Sequence, residues 1–471
     1  MGLKDSRGMP VSTDHRLSLQ RYELAVELFH GYYGDPLAVV DKALAEDPEF
    51  VMGHCVRAAL LVTTTEKSAQ PALCESVQAG EKLAHQANER ERAHLAAARD
   101  WLEGRFERSV QRYGQILLDY PRDTLALQVA HLGDFYLGQS AMLRDRVAQV
   151  LPRWGEGIPG FGYVLGMYAF GLEETGSYAQ AERTARRALD LNPRDPWAVH
   201  AGAHVMEMQG RVEEGIEWLG SRAKDWAPDN AFAFHNWWHL ALFHLDRGEI
   251  ARVLELYDCA IHRRDSNVVL ELIDASALLW RLHLRGADPG TRWQRLADVW
   301  ETRIDEGYYA FNDAHAMMAF AGAGRRASAR ALLRVLERRV TGGGTNARMT
   351  WEVGLPLCRA LEAFGNEDYA TVVELLQPLR VTAHRFGGSH AQRDLIHLTL
   401  VEAAIRGRRL SLARALLAER TALKPDSVYN WQTMTRTLDL LGQIEEAERA
   451  RLRSEQLQRR PRPEGQLAPA A

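Results

Sequence analysis

The sequence predicts an all-α chain, a right-handed solenoid of about twelve helical hairpins, on the strength of three observations. One phrase recurs along the 471 residues: a helix rich in Ala and Leu, then Asp or Asn with Pro, then a helix opening on a large apolar residue. Gly breaks each unit again near its middle. No segment shows a convincing run of strand alternation.

The proline stops come first. They stand as Ala43-Leu44-Ala45-Glu46-Asp47-Pro48, Leu117-Leu118-Asp119-Tyr120-Pro121 and Ala188-Leu189-Asp190-Leu191-Asn192-Pro193, with looser forms at Asp225-Trp226-Ala227-Pro228 and Thr421-Ala422-Leu423-Lys424-Pro425. Proline ends one helix and starts the next because it lacks an N–H and fixes φ. The glycine breaks follow, at Gly176, Gly210, Gly248, Gly365 and Gly442; Gly just past a helix takes the left-handed cap conformation. Second helices carry small residues at helical spacing, as in Tyr178-Ala179-Gln180-Ala181 and Glu446-Ala447-Glu448-Arg449. A helix, a Gly turn, an Ala-rich helix and a Pro stop within about 34 residues is the tetratricopeptide signature. The repeats run from Asp14 to about Gln458, interrupted by longer connections at 284–291 and 340–348. Residues 1–13 and 459–471 are expected to be disordered.

Bulk composition excludes several classes. Lys+Arg 58 against Asp+Glu 62 gives a net charge of −4, with no general attraction to nucleic acid or an anionic membrane. No run approaches the ~18 apolar residues of a membrane span, and Met1–Val11 has no apolar signal core. Cys55, Cys74, Cys259 and Cys358 are widely spaced, which suits reduced thiols. A cytoplasmic protein is expected.

Several segments are too distinctive for generic repeats: Leu28-Phe29-His30-Gly31-Tyr32-Tyr33, the run His200 to Gly210, Phe234-His235-Asn236-Trp237-Trp238-His239, Phe311-Asn312-Asp313-Ala314-His315 and Gly387-Gly388-Ser389-His390-Ala391-Gln392-Arg393-Asp394. On these, the chain from about Arg21 to Asp394 resembles the tetratricopeptide repeat protein 38 family. The resemblance implies the helical-repeat fold and no particular activity.

Candidate chemistry lies in the middle repeats. Pro193 to Met208 aligns without gaps over Pro228 to Phe243, so His200 falls on His235 and His204 on His239, each pair 35 residues apart. Residues i and i+4 share a helix face, so each helix displays two imidazoles one turn apart. Glu207 lies on the same face as His204, and one more step of 35 from His239 reaches Asp274. First helices line the concave face of such arrays, which places His200, His204, Glu207, His235, His239 and Asp274 on one interior wall as candidate catalytic groups. Trp238 and Asn236 are candidate ligand contacts beside them; Trp237 and Trp238 diverge by about 100°, one for the core and one for the cavity. Asn312, Asp313, His315, Glu352, His390, Arg393 and Asp394 sit on other first helices and face this wall if the superhelix closes through a full turn. Tyr32 and Tyr33 read as hairpin packing.

Two chemistries fit these residue types. His with carboxylate can ligate a divalent metal, with His204 and His239 as candidate ligands, but HxxxHxxE is not the HExxH zincin motif and names no particular ion. The same groups can act without metal as an acid/base pair. No GxSxG, P-loop or strand-borne GxGxxG is present. Two functions remain open. One is a cavity for a small molecule or metal, with catalysis a capability of the His/carboxylate wall. The other is a groove for a peptide or protein partner, although such grooves favour Asn, Lys and Arg clamps over His, Glu and Asp.

Overall fold

The computed structural model describes residues 3–263 and 266–459. Among them the helices pair in order into twelve hairpins, from Arg16–Gly31 with Pro36–Glu46 to Val428–Leu440 with Ile444–Gln458. The chain is an all-α solenoid of the tetratricopeptide type. Its punctuation works as the sequence predicts. Asp35 and Asp195 cap helices that open on Pro36 and Pro196, and the Asp195 side chain accepts from the Trp197 and Ala198 amides. Gly176 and Gly210 close first helices with φ of 80° and 69°.

The two helices of a hairpin have different surfaces. Tyr178–Leu191 turns Ala181, Ala185, Ala188 and Leu189 inward and leaves the opposite side wet. Pro196–Met208, the next first helix, is buried at every residue from Pro196 to Met206. A first helix is packed by its own partner, by its neighbours and by whatever lies across the concave face, so its polar residues must be satisfied internally.

The solenoid closes on itself. Asn230 Nδ2 donates to the Gly31 carbonyl (2.9 Å) and the Ala231 amide to the Tyr32 carbonyl (2.7 Å), tying the first hairpin to the loop before Ala233–Asp246. On the other side the Tyr309 hydroxyl donates to the Tyr136 carbonyl (2.9 Å), Asn312 Nδ2 to the Thr65 carbonyl (3.0 Å) and the His390 amide to Glu174 Oε1 (2.9 Å). Gly387 sits at this seam with φ of 90°, where a Cβ would lie 2.3 Å from the Tyr309 hydroxyl. No side chain fits there.

The N-terminus departs from expectation. Residues 3–13 are not left unpacked: Leu3–Lys4 pairs antiparallel with Pro10–Val11, and Val11 is fully buried. Arg90 Nη2 donates to the Pro10 carbonyl (2.8 Å) and the Ser12 amide to Glu91 Oε1 (2.8 Å). The polar composition of this segment concealed partners that are themselves buried charges. Arg459 ends the last helix, and the rest of the expected disordered tail lies outside the described residues. No described helix is long and apolar enough to cross a membrane.

Candidate functional site

Adjacent first helices bring the predicted wall together. Pro196–Met208 supplies His200 and His204, Ala233–Asp246 supplies His235 and His239, and one nitrogen from each of these four buried residues lies within 4.8 Å of all the others. The rings crowd face to edge: the centroids of His200 and His204 are 4.3 Å apart, those of His204 and His239 4.5 Å. The spacing of 35 residues made this cluster, because one repeat step superposes the i, i+4 pairs of neighbouring helices.

Carboxylates stand behind three of the four rings. His235 Nδ1 is 2.7 Å from Asp274 Oδ2, and His239 Nδ1 is 3.1 Å from Glu207 Oε2. His204 Nδ1 lies 3.4 Å from Glu173 Oε2, close enough for ion pairing but not aligned for a hydrogen bond. Nδ1 of His235 and of His239 is thereby used by a carboxylate. His235 Nε2 meets His200 Nε2 at 3.1 Å, while Nε2 of His204 and of His239 has no hydrogen-bond partner.

Burial keeps His200, His204 and His239 neutral. Burial pushes His200 and His239 well below the ordinary imidazole range, and the neighbouring imidazoles push them further. Burial holds His204 at about 4 against the opposing pull of Glu207 and Glu174. Glu173, fully buried beside Glu174, is raised well above the ordinary carboxyl range. Neutral imidazoles with free lone pairs are the form that ligates metals.

A partly open cavity of about 280 Å³ adjoins the cluster, and His200, His235 and Asp274 form part of its wall. Most of the rest is apolar, including Phe29, Trp197, Phe232, Tyr309 and Phe311, with Thr63, Thr64, Thr65, Ser389 and Gln392 among them. Tyr32 and Tyr33 also line it, which corrects their reading as hairpin packing. Tyr32 holds φ of 58°, an outlier for a bulky residue, and its ring packs against Trp197 and Phe232.

The second set of predicted contacts does not reach this cavity. Trp238 is fully buried and stacks on His235, while the half-buried Trp237 packs on Trp226, so neither tryptophan lines it. Asn236 donates to the Pro196 carbonyl and joins two helices. Asn312 serves the seam, Asp313 is buried apart with its carboxyl raised to about 7 by burial, and His315 Nδ1 is 2.8 Å from the Phe311 carbonyl in its own helix. His390 and Arg393 do cross to the first set, but they meet Glu174, with Arg393 Nη2 at 3.5 Å from Oε2. Asp394 is held by Arg420, and Glu352 pairs with Arg385 at the surface. First-helix position predicted the interior side for most of these residues, Glu352 excepted, but not depth along the superhelix axis. Sequence reasoning missed Glu173, which sits at a helix end in a Glu-Glu pair that reads as solvated, and Lys424, whose Nζ lies 3.5 Å from Glu207 across the closed ring.

No family model matches the chain. Among solved structures, it is similar to the APC/C hetero-tetramer Cut9–Hcn1 at 12% identity and TM-score 0.38, with 89% of this chain and 76% of that one covered. It is also similar to the human IFIT1 dimer with PPP-AAAA at 10% identity and TM-score 0.42, with 93% and 94% covered. With scores this low, neither alignment carries an argument about site or partner.

Proposed function

We propose that this helical-repeat protein binds one divalent transition-metal ion through His200, His204, His235 and His239, and that a small molecule reaches the ion's surroundings from the adjoining cavity. The observation that carries the reading is the convergence of four buried imidazoles, one nitrogen of each within 4.8 Å of the others, with carboxylates hydrogen-bonded at Nδ1 of His235 and His239 and a third 3.4 Å from Nδ1 of His204. Carboxylate–imidazole pairs of this kind fix the tautomer and raise the basicity of metal ligands. The donor spacing fits as well. A tetrahedral imidazole set around zinc has nitrogens roughly 3.3 Å apart; His200 and His235 already stand at 3.1 Å, and the full set needs only modest contraction from 4.8 Å. Leaving these buried nitrogens unpaired instead would cost about 1–3 kcal/mol each.

His204 and His239 would anchor the ion deep in the protein, while His200 and His235 would hold it beside the cavity. Asp274 would keep Nδ1 of His235 protonated and its ring oriented. A bound ion would supply Lewis-acid polarisation of a ligand oxygen or nitrogen; an imidazole set suits Zn, Fe, Cu or Ni and does not choose among them. A peptide groove, the alternative function, needs an open concave face, and here the seam residues cross it. The resemblance to the tetratricopeptide repeat protein 38 family belongs to the same proposal, as do a cytoplasmic setting, which four free cysteines favour, and a small-molecule partner rather than nucleic acid.

The test is elemental analysis of protein purified in metal-free buffer and then equilibrated with a panel of divalent ions. The parent is expected to retain about one ion per chain, and His204→Ala and His239→Ala to retain none while still folding. A parent that holds no ion, with variants that lose only stability, would make the cluster a structural ladder and end the proposal.

A further inference from the structure

The cavity wall restricts what can occupy it, and many of its polar atoms are spent. The Tyr136 hydroxyl donates to the Thr63 carbonyl (2.7 Å), the Tyr309 hydroxyl to the Tyr136 carbonyl, and the Tyr32 hydroxyl accepts from Gln128 Nε2 (3.3 Å). The Thr63 and Thr64 hydroxyls return to carbonyls of their own helix, and Ser389 and Gln392 cap each other. The densest polar chemistry left is one edge, formed by His200 and His235 with Asp274 behind; apart from it, Thr65 Oγ1 and Trp197 Nε1 on lining residues have no hydrogen-bond partner. Most of the remaining wall is ring face or hydrocarbon.

Shape narrows the class further. The Tyr32 and Trp197 rings lie nearly parallel, 16° apart, with centroids separated by 6.1 Å, and Phe232 closes on both at 5.0 and 5.1 Å. Tyr32 takes the left-handed conformation as the C-cap of Arg16–Gly31, its amide donating to the Leu28 carbonyl, and its own carbonyl accepts from the Ala231 amide. On the opposite side Phe311 packs on Tyr309 and Phe386. The walls are therefore stiff aromatic plates. An apolar cavity of about 150 Å³ accepts benzene, so one of 280 Å³ has room for about ten to twelve non-hydrogen atoms.

We infer that the cavity binds a small, flat, largely apolar molecule, a bicyclic aromatic in size, which presents a single oxygen or nitrogen to the His200–His235 edge. The inference rests on the cavity of the proposed function but not on its metal. Hydrophobic enclosure would hold the body of such a molecule, and the imidazole edge or an ion at it would orient the one polar group. Sugars, free phosphates and amino acids do not fit, since their several polar groups would be stripped of water without partners.

The experiment uses the full chain, once metal-stripped and once zinc-loaded, with naphthalene, 1-naphthol, 1-pyrenol and glucose as probes, followed by calorimetry or tryptophan fluorescence. Both protein forms are expected to bind naphthalene, and 1-naphthol is expected to bind more tightly than naphthalene in the loaded form by about tenfold, one good polar contact. 1-Pyrenol and glucose are expected not to bind. Ile273→Trp, which fills the cavity from Val269–Leu284, is expected to weaken naphthalene at least about tenfold. Should that variant fail to fold, size exclusion of 1-pyrenol by the parent decides the matter instead. Naphthalene binding that survives when no metal is ever retained would sink the metal reading and leave this inference standing. Failure of both aromatic probes to bind either form, or equal binding of 1-pyrenol, would overturn it even if the metal is found.

Discussion

Two buried polar clusters lie on the inner helices of this molecule, and they are built in opposite ways. At the N-terminal end, Arg90, His94 and Asp123 are almost inaccessible, yet nearly every polar atom is used. Arg90 donates to Asp123 Oδ2 (3.0 Å) and to the Pro10 carbonyl, His94 Nε2 meets the same carboxylate at 2.8 Å, and Asp123 Oδ1 accepts from the Ala126 amide (2.9 Å). In the histidine cluster, His200 Nδ1, both nitrogens of His204, His239 Nε2 and both oxygens of Glu173 lack a hydrogen bond. In the first cluster only His94 Nδ1 does. Burial is the same in both. What separates a brace from a site is whether the protein itself consumes the hydrogen-bonding capacity it has buried.

The largest expected effect breaks the brace. Asp123→Ala leaves the Arg90 guanidinium buried without its counter-ion and removes a helix cap, so stability should fall by about 3–5 kcal/mol. Metal content of the folded fraction should be unchanged. Denaturant unfolding with elemental analysis of the same samples checks both. A loss under about 1 kcal/mol would mean that the N-terminal cluster is no more a brace than the histidine wall.

Acid should also separate the two. Burial pushes the Asp123 carboxyl up, but His94 and Arg90 beside it hold it well below the usual range. Its stabilisation is present above the unfolded pKa of about 3.9 and is lost only in stronger acid. His131, on Thr124–Tyr136 between the two clusters, makes no well-formed hydrogen bond at either ring nitrogen, and burial with the nearby Arg146 lowers it to about 3 against a weaker opposing pull from the Leu143 backbone. It binds its proton more readily unfolded than folded, so its contribution is complete above about pH 6.5 and drains as pH falls toward 3. His131→Phe should therefore lose about 2–3 kcal/mol less than the parent between pH 7 and pH 4.5. The measurement is the unfolding free energy of each protein at both pH values, and equal losses would mean that His131 finds a partner in solution.

The difference between the clusters also explains what could be read from the sequence. Repeats, caps and the four histidines were legible because each depends on spacing along one helix or on a fixed step between neighbours. Asp195 before Pro196 announces a helix start wherever the rest of the chain lies. His200 over His235 needs only the 35-residue register. Glu173, Lys424 and Tyr32 were not legible, because their roles depend on how tightly the superhelix closes, which no local pattern encodes. The N-terminal hairpin was missed for the same reason: Pro10 and Ser12 look solvent-bound until Arg90 and Glu91 are known to face them. Asn312, Asp313 and His315 show the converse error, since a correct face was assigned and the wrong depth.

The smallest expected effect concerns Glu352, whose place on a first helix put it with the site in sequence terms. The fold instead puts it in an outer polar hollow with Arg348, His384 and Arg385, paired to Arg385 Nη1 at 3.3 Å and open to water. Exposed pairs of this kind contribute about 0–1 kcal/mol because solvent screens the attraction and two side chains lose freedom to form it. Glu352→Ala should accordingly shift stability by no more than about 0.5 kcal/mol and leave retained metal and naphthalene affinity at parental values. Glu207→Ala in the same assays provides the contrast. It removes the carboxylate 3.1 Å from His239 Nδ1 and the partner of Lys424, and should lower metal affinity by about 10–100-fold. If the two glutamates gave the same result, position behind an imidazole would carry no weight, and the line drawn between consumed and unconsumed polar groups would fail at the residue where it is easiest to test.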